Sequence, residues 1–504
     1  GVNGTLTANA LGQVGNGGTL EIISTTSAGI NLGAGASNVA ANAGTFDGKG
    51  GSITLTATTN GTINLGTNPN PITVDGVGHK DGGIIALNSS ILTTSPGVNQ
   101  ILSAKGAGSG KGGTISVTTT NAASPININS TPGTLQLQAQ SVGTGSGGTI
   151  NLTANANINF NAAGFFVRGL ALSDIGGTLN VTAGAGGGFG NLVTTGIFDV
   201  GNGTGGLINF RTLTPGTTIT QSVGGNFIGK AVQLVTPGSL GSAAARIQTT
   251  ASVDPTGGLQ AQSSGVGTSV FINQTGALAL GSSSAGFLFD LTANNDINVT
   301  GAMSGPNMSQ VNLATSAGGA INVRADINAS SFATATFNAD TTGSITNHAG
   351  VIRVGTLNLT SGTGNIGSSA ASRVITTATN ISANTNTAAG SVFLFAAASA
   401  TTAGGFSPTV FLNSSSGNTF DYLACGNLVI NGTITAPTVF LGTFNGDITA
   451  SSANLNGVNA IGITSANNAT ITKGAGALSL MQAVSLSTRI LPARLSRLPS
   501  ARRS

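Results

Sequence analysis

The stretch DGKGGSITLTATTNGTINLG, residues 47–66, places an apolar side chain at every second position after a Gly-Gly pair. Successive side chains of a β-strand point to opposite faces, so this alternation predicts short strands that are buried on one side only. The polar positions within the strands carry hydroxyls and amides and no charge. We expect inward side chains at Ile53, Leu55, Ile63 and Leu65 and outward ones at Thr54, Thr56, Thr62 and Asn64.

The phrase that opens this stretch recurs along the first 210 residues. A Gly-Gly pair followed by an alternating strand begins at residues 17, 50, 82, 112, 147, 176 and 205, in steps of 33, 32, 30, 35, 29 and 29. Each unit contains three short strand patterns, which after Gly50 are SITLTA, GTINLG and PITVDG. Because all three patterns repeat from unit to unit, we predict an all-β parallel β-helix, a solenoid with three strands per coil, rather than a hairpin-built sandwich or propeller.

A second, shorter repeat begins after about residue 211. Its isoleucines Ile297, Ile321, Ile345 and Ile366 are 24, 24 and 21 residues apart. We therefore divide the chain into a β-helix with long coils over 1–211, a continuing β-helix with shorter coils over 212–475, and a carboxy-terminal cap or basic tail over 476–504. Since 19 of the 20 phenylalanines lie at or after Phe160, we expect stacked aromatic rings in the later core.

Composition limits the class of fold and the class of partner. Only 6% of the 504 residues are charged, while 39% are hydrophobic and the mean hydropathy is +0.27, which argues against a disordered chain. The formal charge of +4 depends on five arginines near the end; without them 12 basic groups balance 13 acidic ones. A nearly neutral body argues against nucleic acid as a partner, and no apolar run predicts a membrane span. The five arginines are Arg489, Arg494, Arg497, Arg502 and Arg503.

Three phrases resemble the repeat region of filamentous-haemagglutinin-like exoproteins, which are large bacterial surface and secreted proteins. The phrases are GGSITLTATTNGTINLG (50–66), FDLTANNDINVTG (289–301) and TLNLTSGTGNIGS (356–368), and the resemblance covers most of residues 1–475. It implies a right-handed parallel β-helix, secretion through a partner barrel in the outer membrane, and a role as adhesin, stalk or matrix component. It also implies an extracellular or cell-surface location and a glycan or protein ligand on a host or cell surface.

Many parallel β-helices are polysaccharide lyases or hydrolases, which need converging carboxylates for acid–base chemistry or for calcium. The 13 acids of this chain are scattered, and the densest group lies in DGVGHKDGG, residues 75–83. Two interpretations of Asp75, His79 and Asp81 stay open: a metal or catalytic site, or a solvated corner loop, which we favour. We accordingly predict no catalytic residue, no cofactor and no metal site beyond these weak candidates.

Two other polar residues have structural interpretations. Asp296, in the turn after FDLTANN, is expected to cap its own turn. The single cysteine, Cys425, lies in the apolar context DYLACGNLVI and is expected to be a buried, inert thiol that forms no intrachain disulfide.

The two ends of a solenoid expose unpaired strand edges unless a cap covers them. The amino end, GVNGTLTANALG, begins directly with a strand pattern and shows no polar cap, so end-to-end self-association is one expectation. Near the other end, Leu480 and Val484 are expected on one face of a short helix before Pro492.

Three functions follow as hypotheses. The first is a non-enzymatic extracellular rod, serving as the shaft of an adhesin or as a matrix scaffold. The second is a subunit of an extracellular filament that assembles through uncapped ends. The third is a β-helical polysaccharide lyase or hydrolase.

Overall fold

The computed structural model describes residues 5–32, 38–58, 60–66, 70–94, 100–128, 135–169, 175–201, 205–305, 307–385, 389–397, 409–411, 414–444, 446–465, 471–473, 478–480 and 484–486. Within these ranges the chain is all-β and contains no helix, which confirms the predicted class. The chain divides into two compact units, residues 1–333 and 334–504.

The first unit begins with the strands of the long coils and continues with those of the shorter coils. The strands of the long coils are β1 (Leu6–Thr7), β2 (Thr19–Ser24), β3 (Ile30–Asn31), β4 (Val39–Ala40), β5 (Ser52–Ala57), β6 (Thr62–Asn64), β7 (Ile72–Thr73), β8 (Ile84–Ser89), β9 (Ile91–Thr93), β10 (Gln100–Ser103), β11 (Thr114–Thr119), β12 (Ile126–Ile128), β13 (Leu135–Gln138), β14 (Thr149–Ala154), β15 (Ile158–Phe166), β16 (Thr178–Ala183), β17 (Leu192–Asp199) and β18 (Leu207–Thr212). Those that follow are β19 (Ile219–Gln221), β20 (Asn226–Gly229), β21 (Ala231–Thr236), β22 (Ile247–Ala251), β23 (Gly258–Ser263), β24 (Ser269–Gln274), β25 (Leu278–Leu280), β26 (Leu288–Ala293), β27 (Ile297–Val299), β28 (Met303–Ser304), β29 (Gln310–Thr315), β30 (Ile321–Val323) and β31 (Ile327–Asn328).

The second unit continues with strands of similar length and two long ones, β42 and β43. Its strands are β32 (Thr334–Ala339), β33 (Ile345–Asn347), β34 (Ile352–Arg353), β35 (Thr356–Ser361), β36 (Val374–Thr376), β37 (Asn380–Thr385), β38 (Val392–Ala396), β39 (Thr409–Phe411), β40 (Ser414–Ser415), β41 (Thr419–Ala424), β42 (Leu428–Thr443), β43 (Ile448–Ser465), β44 (Ile471–Lys473), β45 (Leu478–Leu480) and β46 (Val484–Leu486).

Strands pair in parallel with strands of the next coil, as a β-solenoid requires. In the first three coils β2, β5 and β8 form one series, β3, β6 and β9 a second, and β4, β7 and β10 a third. Each of these coils therefore contributes three strands, which is the predicted number. Parallel pairs need a crossover between partners, and here the other two strands of the coil supply it.

The register of the first series has the same steps as the sequence repeat. Successive partners lie 33, 32, 30, 35, 29 and 29 residues apart, and they are Thr19, Ser52, Ile84, Thr114, Thr149, Thr178 and Leu207. The next step is shorter, since Leu207 pairs with Ala231. Each Gly-Gly phrase thus opens one coil.

The Gly-Gly pairs lie where the backbones of successive coils come closest. A Cβ atom added to Gly113 would be 2.1 Å from the carbonyl oxygen of Gly83 in the preceding coil, and a Cβ on Gly83 would be 2.0 Å from that of Gly51. The Gly83 carbonyl also accepts a hydrogen bond from the N–H of Thr114 at 2.9 Å. Only glycine fits such an approach, so the repeated phrase begins with glycine for a steric reason.

The core contains the predicted inward side chains. Ile53, Leu55, Ile63 and Leu65 are fully buried, and the polar residues between them are partly exposed. Aromatic rings enter at the change from long to short coils: the rings of Phe160 and Phe210 stack with centroids 5.7 Å apart, and Phe198 meets both edge-on. Phe165 and Phe227 complete this aromatic cluster. Four of these five rings lie before residue 212, so the aromatic core begins in the long coils and not, as expected, in the shorter ones. In the later coils the rings of Phe395 and Phe444 meet edge-on, with centroids 6.1 Å apart.

The shorter coils follow the isoleucine spacing. Ile297 pairs with Ile321 in the first unit, and Ile345 forms a parallel bridge to Ile366 in the second. The proposed divisions at residues 211 and 475 stay predictions, as does the right-handed sense of the coil.

The expected helix near residue 480 is wrong. Leu480 belongs to β45 and Val484 to β46, and both strands pair in parallel with β43. The sequences LSL and VSL alternate with a period of two, and the open edge of β43 offers them backbone hydrogen-bond partners that a short isolated helix lacks. Pro492 and the five terminal arginines lie outside the described residues.

Candidate functional site: charged side chains between coils

Charged residues of the long coils gather in three stacked corner loops, residues 42–49, 75–81 and 105–111, each of which precedes a Gly-Gly pair. Because these three coils have loop residues between their strands at this corner, the loops can carry charge without interrupting a strand. The weak site candidates Asp75, His79 and Asp81 all lie in the second of these loops.

The three candidates bind separate partners in neighbouring coils. Asp75 Oδ1 accepts hydrogen bonds from Ser103 Oγ and from the N–H of Lys105, both at 2.7 Å. Asp81 Oδ1 accepts from the N–H of Lys111 at 2.8 Å. The two carboxylates therefore connect the second loop to the third.

The remaining contacts connect the second corner loop to the first. Lys49 Nζ lies 3.6 Å from Asp81 Oδ2, and Lys80 Nζ lies 3.6 Å from Asp47 Oδ2. The backbone N–H of His79 also donates to Asp47, at 3.4 Å. Among the described residues, no three His, Cys, Asp or Glu side chains come together in a way that could hold a metal ion. These contacts favour the corner-loop interpretation of the candidates.

An arginine, a phenylalanine and an aspartate align across three successive coils of the first unit. Phe271 pairs in register with Asp290 of the next coil. In the preceding coil Ile247 pairs with Ile272, so Arg246, the residue before Ile247, lies level with Phe271. Arg246 Nη2 donates to Asp290 Oδ1 at 2.9 Å and to the carbonyl of Ile272 at 2.9 Å. Its guanidinium carbon lies 5.9 Å from the centre of the Phe271 ring, within the range of a cation–π contact.

The second unit repeats this arrangement with Arg373, Phe393 and Asp421. Phe393 pairs in register with Asp421 of the next coil. In the preceding coil Val374 pairs with Leu394, so Arg373, the residue before Val374, lies level with Phe393. Arg373 Nη1 and Nη2 bind Asp421 Oδ1 and Oδ2 at 2.9 and 2.7 Å, which makes the pair bidentate. We call each set an Arg–Phe–Asp ladder.

The sequence reasoning missed both ladders because their charged ends are two coils apart, at separations of 44 and 48 residues. A signal was available. Each arginine comes directly before the first inward residue of a strand, and each aspartate comes directly before an inward residue at the equivalent position two coils later.

Other charged groups also act between coils. Arg168 Nε lies 3.0 Å from Asp199 Oδ2, and Lys230 Nζ lies 3.0 Å from Asp254 Oδ2. Hydrogen bonds from the N–H and hydroxyl of Thr256, together with Lys230, lower the pKa of Asp254 to about 2. The expected cap at Asp296 is corrected: its Oδ1 accepts the N–H of Ala320, 24 residues away in the next coil, at 2.7 Å.

Uncharged amides form ladders along the outer surface. Asn180 Nδ2 donates to Asn151 Oδ1 at 2.9 Å, and Asn209 Nδ2 donates to Asn180 Oδ1 at 3.5 Å. Asn322 donates to Asn298 in the same way at 3.0 Å. Each amide has both a donor and an acceptor, so identical residues can bond at strand spacing, whereas identical charges would repel.

Tyr422 and Cys425 lie close together in the chain and differ in burial. Tyr422 is fully buried, its hydroxyl has no hydrogen-bond partner among the described residues, and burial raises the pKa of the hydroxyl. Cys425 is only half-buried, which corrects the expected buried thiol. It follows the last residue of β41, where the chain leaves the core for a turn.

The described residues contain no helix that is long and apolar enough to cross a membrane. No family model, no curated protein and no solved structure matches this chain.

Proposed function

We propose that this chain is a non-enzymatic extracellular scaffold: the β-helical shaft of a bacterial adhesin or a component of a surface matrix. The main support for the proposal is that the few charged side chains of this chain bind one another, or the backbone, between coils. Aspartates of the corner loops and of the Arg–Phe–Asp ladders bind partners in a neighbouring coil or in the coil beyond it. Charge in these places stabilises the stacking of coils.

The engaged carboxylates support a structural role over polysaccharide cleavage. A general acid or base must exchange its proton with substrate, and it needs a position from which the substrate can be reached. Asp75 accepts two hydrogen bonds from the next coil, and Asp421 is held by two nitrogens of Arg373. These bonds hold each carboxylate in a fixed position within the stack of coils.

The uncharged amide ladders support the role of a shaft, whose length depends on the number of stacked coils. A coil whose outward residues are Thr, Ser and Asn can stack on a similar coil without repulsion, so length can change while the surface chemistry stays constant. The extracellular location and the secretion partner in the outer membrane rest on the resemblance to filamentous-haemagglutinin-like exoproteins.

Removal of one whole coil tests the scaffold proposal. Residues 207–230 form one register step, because Leu207 pairs with Ala231. We expect the deletion of 207–230 to leave a folded β-protein, as judged by circular dichroism and cooperative urea unfolding. Deletion of 207–218 alone is the matched control: it removes β18 but keeps β19 and β20, so the coil is incomplete and this variant should fail to fold. Equal tolerance of both deletions would contradict the solenoid on which the proposal depends.

Two further measurements separate the proposed scaffold from the alternatives. Electron microscopy at near-physiological salt should show separate particles; long unbranched fibres formed by this chain alone would favour the filament subunit. A panel of acidic and neutral polysaccharides should release no reducing ends. Cleavage that is lost in Asp75→Ala or Asp81→Ala would favour the enzyme.

The extracellular location has a separate test. Protease added to the outside of intact source cells should degrade the chain if it lies on the cell surface.

A further inference from the structure

A groove crosses three successive coils of the first unit, and its accessible volume is about 350 Å³. Its walls are residues 262–264 and 282–286, together with Ala302, Ser304, Gly305 and Asn307. Backbone hydrogen bonds connect the walls, from the N–H of Ser263 to Ser284 O and from the N–H of Ser304 to Ser283 O. The groove is therefore built from the regular part of the solenoid, and its size is typical of small-ligand sites.

Serine hydroxyls dominate the lining, and they fall into two groups. Ser263 and Ser283 are buried, and their hydroxyls donate to the carbonyls of Gly238 and Gly281, which holds the walls in place. The others are exposed or half-buried, and their hydroxyls have no hydrogen-bond partner among the described residues. These are Ser264, Ser282, Ser284 and Ser304.

The unengaged groups indicate the class of ligand. Each serine hydroxyl can both donate and accept, and Asn307 adds an amide that can do the same. None of the residues that line the groove is charged, so nothing in it compensates the charge of an ionic ligand. Phe287, the residue after the wall residue Gly286 in the chain, is 42% exposed. Hydroxyl-rich, neutral ligands fit the uncharged, hydroxyl-lined groove.

We propose that this groove binds one or two units of a neutral polysaccharide. The proposal rests on the proposed scaffold function, to which it adds an attachment point. Binding without cleavage is expected, because no carboxylate and no histidine lines the groove.

A glycan array containing neutral and acidic polysaccharides tests the proposal with the full chain. A neutral glycan should be retained, and calorimetry with an oligosaccharide of that glycan should give its Kd. The double variant Ser282→Ala/Ser304→Ala removes two hydroxyls and should weaken binding about tenfold, because two neutral hydrogen bonds to the glycan are lost. Ser284→Phe fills the groove and should abolish binding.

Ser27→Ala is the matched control, because Ser27 is an exposed serine in the first coil. It should bind the glycan as the unaltered chain does, and all variants should share its urea midpoint. Absence of binding to every neutral glycan, preference for anionic glycans, or unchanged binding in the groove variants would overturn the groove proposal and leave the coil-deletion result untouched. Binding accompanied by release of reducing ends would instead overturn the non-enzymatic scaffold.

Discussion

The long coils before residue 212 and the shorter coils from β22 onward stabilise their stacking in different ways. In the long coils, glycine backbones touch, and the lysines and aspartates of the corner loops pair across adjacent coils while they remain largely in solvent. In the shorter coils, an ion pair between an arginine and an aspartate spans three coils. Both of its side chains are mostly buried. The comparison shows where a solenoid can place charge. The long coils place charge in their corner loops, whereas each Arg–Phe–Asp ladder of the short coils places an aspartate on a strand and neutralises it within the stack.

The largest expected effect is at the change between the two regions. Phe210 is fully buried, and its ring lies 5.7 Å from Phe160 and 5.0 Å from Phe227. Phe210→Ala should lower the free energy of unfolding by about 3–5 kcal/mol, the usual cost of deleting a buried aromatic ring. Urea unfolding followed by circular dichroism measures this loss. Phe332→Ala is the control, because Phe332 is 93% exposed, and equal losses would mean that the cluster does not hold the coils together.

The close glycine contact is the next test and concerns the long coils alone. Gly113→Ala places a Cβ 2.1 Å from the Gly83 carbonyl, and both groups belong to the hydrogen-bonded backbone. We expect a loss of about 3 kcal/mol in unfolding free energy, at the upper end of overpacking costs. Hydrogen exchange should speed up mainly in β8, β11 and β14, since each coil contacts its neighbours.

Gly12→Ala is the control for the glycine test. A Cβ at Gly12 would meet no atom within 4 Å. Without a clash, Gly→Ala should be neutral or slightly stabilising, because alanine lowers the entropy of the unfolded chain. A loss at Gly12 as large as the loss at Gly113 would show that close approach is not the cause of the loss at Gly113.

The two kinds of ion pair should differ in strength. The Arg373–Asp421 side chains are only 13% and 15% exposed, against 58% and 41% for Lys49–Asp81. Arg373→Ala should cost about 1.5–3 kcal/mol, because it breaks charge-assisted hydrogen bonds in a mostly buried place. Lys49→Ala should cost less than about 0.5 kcal/mol and lose its effect in high salt.

A double-mutant cycle with Asp421→Asn isolates the energy of the Arg373–Asp421 pair. The conservative Arg373→Lys keeps the charge and loses the bidentate geometry, so it should recover only part of the stability. Equal costs at Arg373 and Lys49 would remove the distinction between ladders and corner loops.

A further substitution should increase the stability. Tyr422→Phe removes a buried hydroxyl that has no partner among the described residues, so the unfolding free energy should rise by about 1 kcal/mol. A loss in this variant would show that the hydroxyl makes a stabilising bond. Val439→Ala, which removes buried methyl groups in the neighbouring coil, is the contrasting control and should be destabilising.

The same residue makes a pH prediction. Tyr422 is the only tyrosine, so the absorbance of tyrosinate reports on it alone. Its raised pKa favours the protonated form in the folded chain; stability is therefore retained below about pH 10, the ordinary pKa, and falls as the pH rises above it. Tyrosinate should appear only as the chain unfolds. In Tyr422→Phe this part of the alkaline loss should vanish.

The corner loops mark the limit of what the sequence could predict about the candidate site. The grouping of Asp75, His79 and Asp81 was visible in DGVGHKDGG, because these residues are neighbours in the chain. Their partners were not, because Ser103 and Lys105 belong to the next coil and become neighbours only once the register is known. The groove serines at 264, 282 and 304 are separated in the same way.

The sequence by itself determined the all-β solenoid, its coil lengths and the inward set, because a period of two and a repeat of about 30 residues are local properties that backbone geometry translates directly. The repeat in the sequence also explains why the outer ladders carry almost no charge, since identical charged residues stacked at strand spacing would repel each other. The tertiary structure decided which charges pair, that Arg246 and Arg373 each reach across two coils, and that Leu480 and Val484 join strands. Those outcomes depend on which residues of separate coils come into register, and on the backbone partners that β43 offers.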